Sequence, residues 1–269
     1  MVEAGQIFER LHSEFFAALE ACRVGPEPKA VHRLRTTTRR IEALLTTAER
    51  RRNGGPQLAR KIDKALKALK PIRGAAGPVR DIDVQMELLV GLMRTVGAAM
   101  GMGDRGALEA DGEKLGAKLK RSRKEAARGL SKVIQGAERG EVRALSRLQP
   151  YLSEVKWTFL LKDAMKIERQ SARGLDVRDP ESLHEYRKHS KFSRYLAEME
   201  DGSAEATRFR KRMKGVLDAI GAWHDWMLLT QLAKKTVGKS SGLAKAVQTE
   251  REGALRRAVG AVERLHRQA

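Results

Sequence analysis

The segment Val31–Leu45 has the sequence VHRLRTTTRRIEALL, in which apolar and basic residues recur every three or four positions. At 3.6 residues per helical turn, one arc of roughly 60° carries only basic side chains. These are His32, Arg35 and Arg39. The opposite face carries Val31, Leu34, Thr38, Ile41 and Leu45. The pattern predicts a helix that packs against a core on one face and presents nitrogen-rich side chains on the other.

A second segment repeats this pattern later in the chain, at an offset that places His32, Arg35 and Arg39 on His184, Arg187 and Lys191. A slightly different offset places one stripe of bases on another: Lys64, Lys67 and Lys70 on Arg208, Lys211 and Lys214. The same offset places Arg80 on His224, Asp81 on Asp225 and Gly77 on Gly221. Each half therefore has a predicted order of histidine helix, basic-stripe helix, glycine turn and aspartate helix. The first turn is expected at Gly74–Pro78, and the two basic faces are expected to face each other about a pseudo-twofold axis.

The chain is strongly basic and has an apolar periodicity typical of helices almost throughout. Its 54 lysines and arginines exceed its 34 acidic residues by 20, and such a charge favours a polyanionic partner. Nucleic acid, an anionic membrane surface and polyphosphate are the physical candidates. Because aromatic residues make up only 4% of the chain, stacking of unpaired bases is disfavoured.

Several classes of protein are not expected from this sequence. The single cysteine, Cys22, forms no disulfide framework, and no apolar run is long enough to span a bilayer. The N-terminus lacks the basic start and apolar run of a signal peptide, so a cytoplasmic location is expected. His184 and His189 lie five residues apart, which is not the spacing of two ligands on one helical face. No metal, no cofactor and no catalytic residue set is predicted.

The basic residues also have plain structural interpretations. Each histidine alone is more often a packing residue, and it is the repetition that favours a ligand site. The structural interpretation of the lysine stripe, formed by Lys64, Lys67 and Lys70, is a helix face exposed to solvent. Asp81 and Asp225, near the predicted starts of two helices, are interpreted as structural residues that favour the helix dipole and hold neighbouring bases.

The chain resembles the CHAD family, the conserved histidine alpha-helical domain proteins. The resemblance covers about residues 5–267 and depends on three motifs. They are His32-x-x-Arg35 with Arg39-Arg40, His184-x-x-Arg187 with Lys191 and Arg194-Tyr195, and Gly77-Pro78-Val79-Arg80-Asp81-Ile82-Asp83. The resemblance implies an all-α domain of two related helical bundles around a central basic channel, with repeat halves at 5–140 and 141–267.

The implied function is non-catalytic binding of inorganic polyphosphate, often at polyphosphate granules. Sulfate or phosphate ions are also expected as ligands in a crystal. The chain departs from the family pattern at Glu42 in the first half, and at Glu185 and Phe192 in the second half. The second half-site is therefore expected to be weaker. A nucleic-acid-binding helical protein and a phosphate-ester enzyme with a histidine nucleophile are the alternatives. The sequence leaves the oligomeric state open.

Overall fold

The computed structural model describes residues 4–51, 55–99, 102–137, 141–152, 160–200 and 203–267. Regular secondary structure in these ranges is entirely helical, which confirms the predicted all-α class. The helices are α1 (Ala4–Val24), α2 (Pro28–Arg51), α3 (Gly55–Ala99), α4 (Met102–Ala137), α5 (Glu141–Ser146), α6 (Gln149–Leu152), α7 (Leu160–Ala172), α8 (Pro180–Glu198), α9 (Ala204–Val237) and α10 (Gly242–Arg267). No helix in the described ranges has the length and apolar character needed to cross a bilayer.

The helices form two compact units, each made of separate segments of the chain. Unit 1 consists of Met1–Arg80, Ala126–Arg173 and His189–Lys211. Unit 2 consists of Asp81–Glu125, Gly174–Lys188 and Arg212–Ala269. The predicted repeat halves at 5–140 and 141–267 concern duplication in the sequence, and they stay a prediction.

The apolar face predicted for α2 forms part of the core of unit 1. Its members are fully buried: Val31, Leu34, Thr38, Ile41 and Leu45. The Thr38 hydroxyl donates to the Leu34 carbonyl at 2.7 Å, so this polar group is satisfied within the helix. α1 packs against α2 and brings the buried rings of Phe8 and Phe15 to the same core. Full burial of such side chains contributes about 1.5–3 kcal/mol each, and it fixes which face of α2 remains available to solvent.

α3 corrects the helix boundary predicted from the sequence at Gly74–Pro78. The helix runs without interruption from Gly55 to Ala99, with Pro71 and Pro78 in its interior. A proline there lacks an N–H donor and costs about 3 kcal/mol. Both prolines lie on the exposed side, while the buried side chains continue at helical spacing past them: Leu69, Ile72, Ala76 and Val79. Continuous burial of this face outweighs the local cost of the prolines.

The second predicted break, at Gly221, is also helical. α9 extends from Ala204 to Val237 and contains this glycine in its middle. Its buried face runs through the position without a gap, at Met213, Val216, Leu217, Ile220 and Trp223. The predicted basic-stripe helix and aspartate helix are therefore one helix in each case, α3 in the first half and α9 in the second. Trp223 and Trp226 are both buried, so they are packing residues of α9.

The start of α8 is capped by the side chain of Asp179. The Asp179 carboxylate accepts the backbone N–H groups of Glu181 at 3.2 Å and Ser182 at 2.9 Å. Pro180 occupies the first helical position, where a backbone N–H would have no partner within the helix, so the N–H that proline lacks is not needed. A cap of this kind contributes about 1 kcal/mol. It fixes the first turns of α8, and these carry His184.

Candidate functional site

The first basic cluster lies in unit 1 around the exposed face of α2. It comprises His32, Arg35, Arg39, Arg40, Arg73, Arg80, Lys191 and Arg194. Partial burial of the imidazole holds the pKa of His32 below its ordinary value, and the charges of Arg80, Arg35, Arg40 and Lys191 lower it further. Four cations from three helices thus act on one histidine. The structure brings together residues that are far apart in the sequence and concentrates positive charge at this point.

One carboxylate of this cluster is buried and holds two arginines. Glu42 is only 9% exposed, and it accepts a hydrogen bond of 2.5 Å from Arg73 on α3. Arg39, one helical turn before it, lies 3.8 Å away. Burial lowers the pKa of the Arg39 guanidinium, and Glu42 opposes this effect. Glu42 was a departure from the family pattern in the sequence, and in the structure it positions two cations of the first cluster.

A second carboxylate has the same role for another pair of arginines. Glu198, at the end of α8, accepts a hydrogen bond of 2.9 Å from Arg40. Its other oxygen lies 3.5 Å from Arg194, one turn earlier on α8. Arg40 is also 3.8 Å from Glu14 on α1. Neither Glu198 nor Arg73 was predicted as a site residue. The only signal in the sequence was an acid three or four residues after an arginine, at Glu42 and Glu198.

The second basic cluster lies in unit 2 and comprises His184, Arg187, His224 and Asp225. The imidazole rings of His184 and His224 are stacked, with centroids 5.1 Å apart and planes inclined by 20°. Asp225 lies 3.5 Å from Nδ1 of His224. Gly221 precedes His224 by one turn, and a Cβ atom there would meet the Arg187 guanidinium at 3.9 Å. Arg187 of α8 therefore lies directly beside α9 at this glycine.

The histidines of the second cluster are partly desolvated. Burial lowers the pKa of His184, with further lowering by His224, Arg187 and Lys188, while Glu185 acts in the opposite direction. The Nδ1 atoms of His184 and His224 are buried and have no hydrogen-bond partner within the described part of the chain. Buried polar atoms are normally hydrogen-bonded, so these two nitrogen atoms are exceptional, and that of His224 faces the Asp225 carboxylate at 3.5 Å.

α8 supplies residues to both clusters, which changes the grouping predicted from the sequence. His184 and Arg187 belong to unit 2, whereas Lys191, Arg194 and Tyr195 belong to unit 1. There, Lys191 acts on the pKa of His32 and Tyr195 acts on that of Arg39. The predicted stripe His184–Arg187–Lys191 is therefore divided between the two units. Sequence spacing along α8 gave no indication of this division.

The two basic stripes are on solvent-exposed helix faces. All of their members are exposed: Lys64, Lys67, Lys70, Arg208, Lys211 and Lys214. Lys67 pairs with Asp63 at 2.7 Å, and Lys214 pairs with Asp218 at 2.5 Å. Such exposed pairs within one helix contribute little to stability. The structure fits the solvated-face interpretation, and a binding role for the stripes stays a prediction.

The aspartates predicted to be structural have different surroundings. The predicted location near helix starts, where these aspartates would favour the helix dipole, is wrong, because both lie in the interior of long helices, Asp81 in α3 and Asp225 in α9. Asp225 lies beside His224, as described above, and a structural role for Asp81 stays a prediction. Asp83, two residues further along α3, is buried and accepts a hydrogen bond of 2.8 Å from Arg123 on α4. This pair was missed because the two residues are 40 positions apart. It links α3 and α4 within unit 2.

Comparison with known proteins yields one family. The family model of the CHAD domain matches residues 6–234. The chain is similar to the crystal structure of the CHAD domain from the plant Ricinus communis, with a TM-score of 0.64, 17% identity, and coverage of 97% of this chain and 90% of that one. It is also similar to PptA from Streptomyces chartreusis, with a TM-score of 0.64, 16% identity and 99% coverage of both chains. None of the curated proteins matches. At these identities, the two structural similarities establish the fold alone.

Proposed function

Since the chain belongs to the CHAD-domain family, we propose that it binds inorganic polyphosphate, without chemical change, through its two basic clusters. The main support is the first cluster, in which two carboxylates, Glu42 and Glu198, hold arginines of three different helices. The overall charge of +20 attracts any polyanion. The two clusters add arginine side chains that are held in fixed positions, which the overall charge alone does not provide.

The chemistry of the ligand suits these side chains. Each internal phosphate of the polymer is ionised at neutral pH and offers oxygens that accept hydrogen bonds. The planar guanidinium group donates two parallel hydrogen bonds to two such oxygens, which an ammonium group does not. Immobilising a flexible side chain on binding costs about 0.5–1.5 kcal/mol. Arginines that are already held by Glu42 and Glu198 have lost part of that freedom before the ligand arrives, so less free energy is lost on binding.

The proposal extends to residues predicted from the sequence and to Arg73, which the structure adds. We expect His32, Arg35, Arg39, Arg40 and Arg80 to contact the polymer in unit 1, with Arg73, Lys191, Arg194 and Tyr195 around them. We expect His184, Arg187 and His224 to contact it in unit 2. The basic channel, the internal repeat and residence at polyphosphate granules belong to the same proposal. So does the absence of catalysis, which is tested by following phosphate release from polyphosphate and from phosphate esters over hours.

A competition experiment tests the proposed ligand. Fluorescently labelled long-chain polyphosphate is bound to the full chain at several salt concentrations. Unlabelled polyphosphate, single-stranded DNA and duplex DNA are then added at matched charge. We expect polyphosphate to compete best at every salt concentration. DNA binding that survives an excess of polyphosphate would overturn the proposal in favour of the nucleic-acid alternative.

The salt series adds a second criterion. Release of counterions from a polyanion makes log K fall linearly with log salt concentration, with a slope of about 0.7–0.9 per neutralised phosphate in nucleic acids. We expect a steep slope of this kind for polyphosphate. A shallow slope would mean that few of the clustered cations contact the polymer.

A further inference from the structure

The two clusters differ in the residue that has the largest electrostatic effect on their first histidine. In unit 1 this residue is Arg80 of α3, whose charge acts on His32. In unit 2 it is His224 of α9, which stacks on His184 at 5.1 Å. A guanidinium is charged at every physiological pH, whereas an imidazole changes its charge between about pH 5 and 8. The residue beside the first histidine is thus a guanidinium in one cluster and an imidazole in the other.

We propose that the second cluster is a proton-dependent anion site, which holds a phosphate group of polyphosphate at full strength only when the His184–His224 pair carries a proton. The first cluster, whose cations are mainly arginines, keeps most of its charge throughout. This inference rests on the proposed function, since the anion in question is polyphosphate. It assigns the regulation of binding to one of the two clusters.

The side chains packed around the pair carry charges of both signs. From α8, Arg187 and Lys188 oppose a proton on His184 while Glu185 favours one, and Lys188 is itself paired with Glu185 at 2.5 Å. From α9, Asp225 lies 3.5 Å from His224, on the side of Nδ1. α10 approaches α8 through His266, whose ring meets that of Tyr186 at 6.1 Å.

A bound phosphate group favours protonation of the pair. Burial and the neighbouring bases hold the pKa of His184 below its ordinary value in the free protein. An anion placed against the stacked rings favours their charged form and raises the pKa. The complex then binds more protons than the free protein does, so binding takes up protons. By linkage, the affinity increases as the pH falls through the interval between the pKa of the free site and that of the occupied site.

The decisive experiment exchanges the two residues that distinguish the clusters. Binding of long-chain polyphosphate to the full chain is measured from pH 5.5 to 8.0 at constant ionic strength. The proteins are the wild type, the variant His224→Arg, the variant Arg80→His and the control His189→Asn, which changes an exposed histidine of α8. Circular dichroism confirms that each protein is folded at each pH.

We expect the wild-type affinity to fall about 10-fold or more between pH 6 and pH 8, as one linked proton allows. His224→Arg should flatten this dependence and retain tight binding at pH 8. Arg80→His should make the dependence steeper, and the control should match the wild type. The inference would be overturned if the affinity of His224→Arg depended on pH as strongly as that of the wild type.

Calorimetry of the wild type gives an independent measurement that needs no variant. The binding enthalpy is measured at pH 7 in two buffers with different ionisation enthalpies, and the difference gives the number of protons taken up. Proton uptake on binding supports the inference, and its absence overturns it even if His224→Arg fails to fold. Binding without proton uptake leaves the proposed function intact, whereas absence of polyphosphate binding at every pH refutes the proposed function itself.

Discussion

Arg40 on α2 donates a hydrogen bond of 2.9 Å from its Nε atom to a carboxylate oxygen of Glu198 on α8, 158 residues further along the chain. Both side chains are partly buried, at 32% and 20% exposure. Charge-assisted hydrogen bonds of this kind are short and directional. The contact therefore joins the two histidine helices within unit 1 and fixes the direction in which the Arg40 guanidinium points.

The first prediction concerns this carboxylate. Glu198→Gln removes one negative charge near a binding site for an anion, so long-range electrostatics alone would strengthen binding. If Glu198 acts by positioning Arg40 and Arg194, we expect polyphosphate affinity to fall about 3- to 10-fold, as the cost of immobilising one or two side chains implies. The free energy of unfolding should fall by about 1 kcal/mol.

Asp63→Asn is the matched control for Glu198→Gln. It makes the same change of charge at an exposed residue that pairs with Lys67 on the basic stripe. We expect unchanged or slightly tighter binding. Equal effects of the two variants in fluorescence titrations would contradict a positioning role for Glu198.

The second prediction concerns the exposed stripe of α3. Replacing Lys64, Lys67 and Lys70 together by Ala removes three charges from a face that is open to solvent. We expect polyphosphate affinity to fall only about threefold, because exposed charges are well screened. Titrations at two salt concentrations measure the effect. A loss of 100-fold would place the main contact on this stripe.

The third prediction tests the continuity of α3 through its prolines. Pro78→Ala restores an N–H donor and removes a steric clash in the middle of a helix, so we expect the free energy of unfolding to rise by about 1–3 kcal/mol. Urea denaturation measures the difference. Pro28→Ala, at the first position of α2, is the control and should give no gain, since proline is favoured there. No stabilisation in Pro78→Ala would indicate a helix break at this point.

The fourth prediction concerns stability against pH. In the folded protein, burial lowers the pKa values of His32 and His184, with further lowering by neighbouring basic groups. The unfolded chain then binds protons at higher pH than the folded chain, so the free energy of unfolding decreases as the pH falls below about 6.5. Urea denaturation at pH 7.5 and 5.5 should show this loss.

His184→Asn should make that loss smaller, whereas His189→Asn changes an exposed histidine on the same helix and serves as the control. Saturating polyphosphate should also reduce the loss, because an anion stabilises the charged imidazole. A stability that rises on acidification would contradict the environment described for these two histidines.

The parts of the fold that could be predicted from sequence depend on local patterns. The 3.6-residue periodicity predicted the helical class and the buried face of α2. The breaks at Gly74–Pro78 and Gly221 were wrong because glycine and proline are local signals. The buried side chains on both sides of these positions form one continuous face, and their combined burial keeps each helix intact.

The candidate site was predictable where it repeats and not where it depends on tertiary contacts. The offset that matched Arg80 with His224 paired two residues that each act on a histidine in the structure. Glu42 and Glu198 had no such signal, because an acid in a basic protein is unremarkable until its arginine partners are known. The division of α8 between the two units likewise depends on packing across the chain, which spacing along one helix does not contain.

The most direct test of polyphosphate binding by the clusters is a comparison of two triple variants. Arg35, Arg39 and Arg187 are replaced by Ala in one, and the exposed Arg94, Arg121 and Arg128 in the other, so both proteins lose the same charge. Affinity for long-chain polyphosphate is measured alongside thermal unfolding. We predict a loss of about 100-fold or more in the first variant, as several charge-assisted hydrogen bonds imply, and a much smaller loss in the second, with both proteins folded. Equal affinities of the two variants would contradict binding at the clusters.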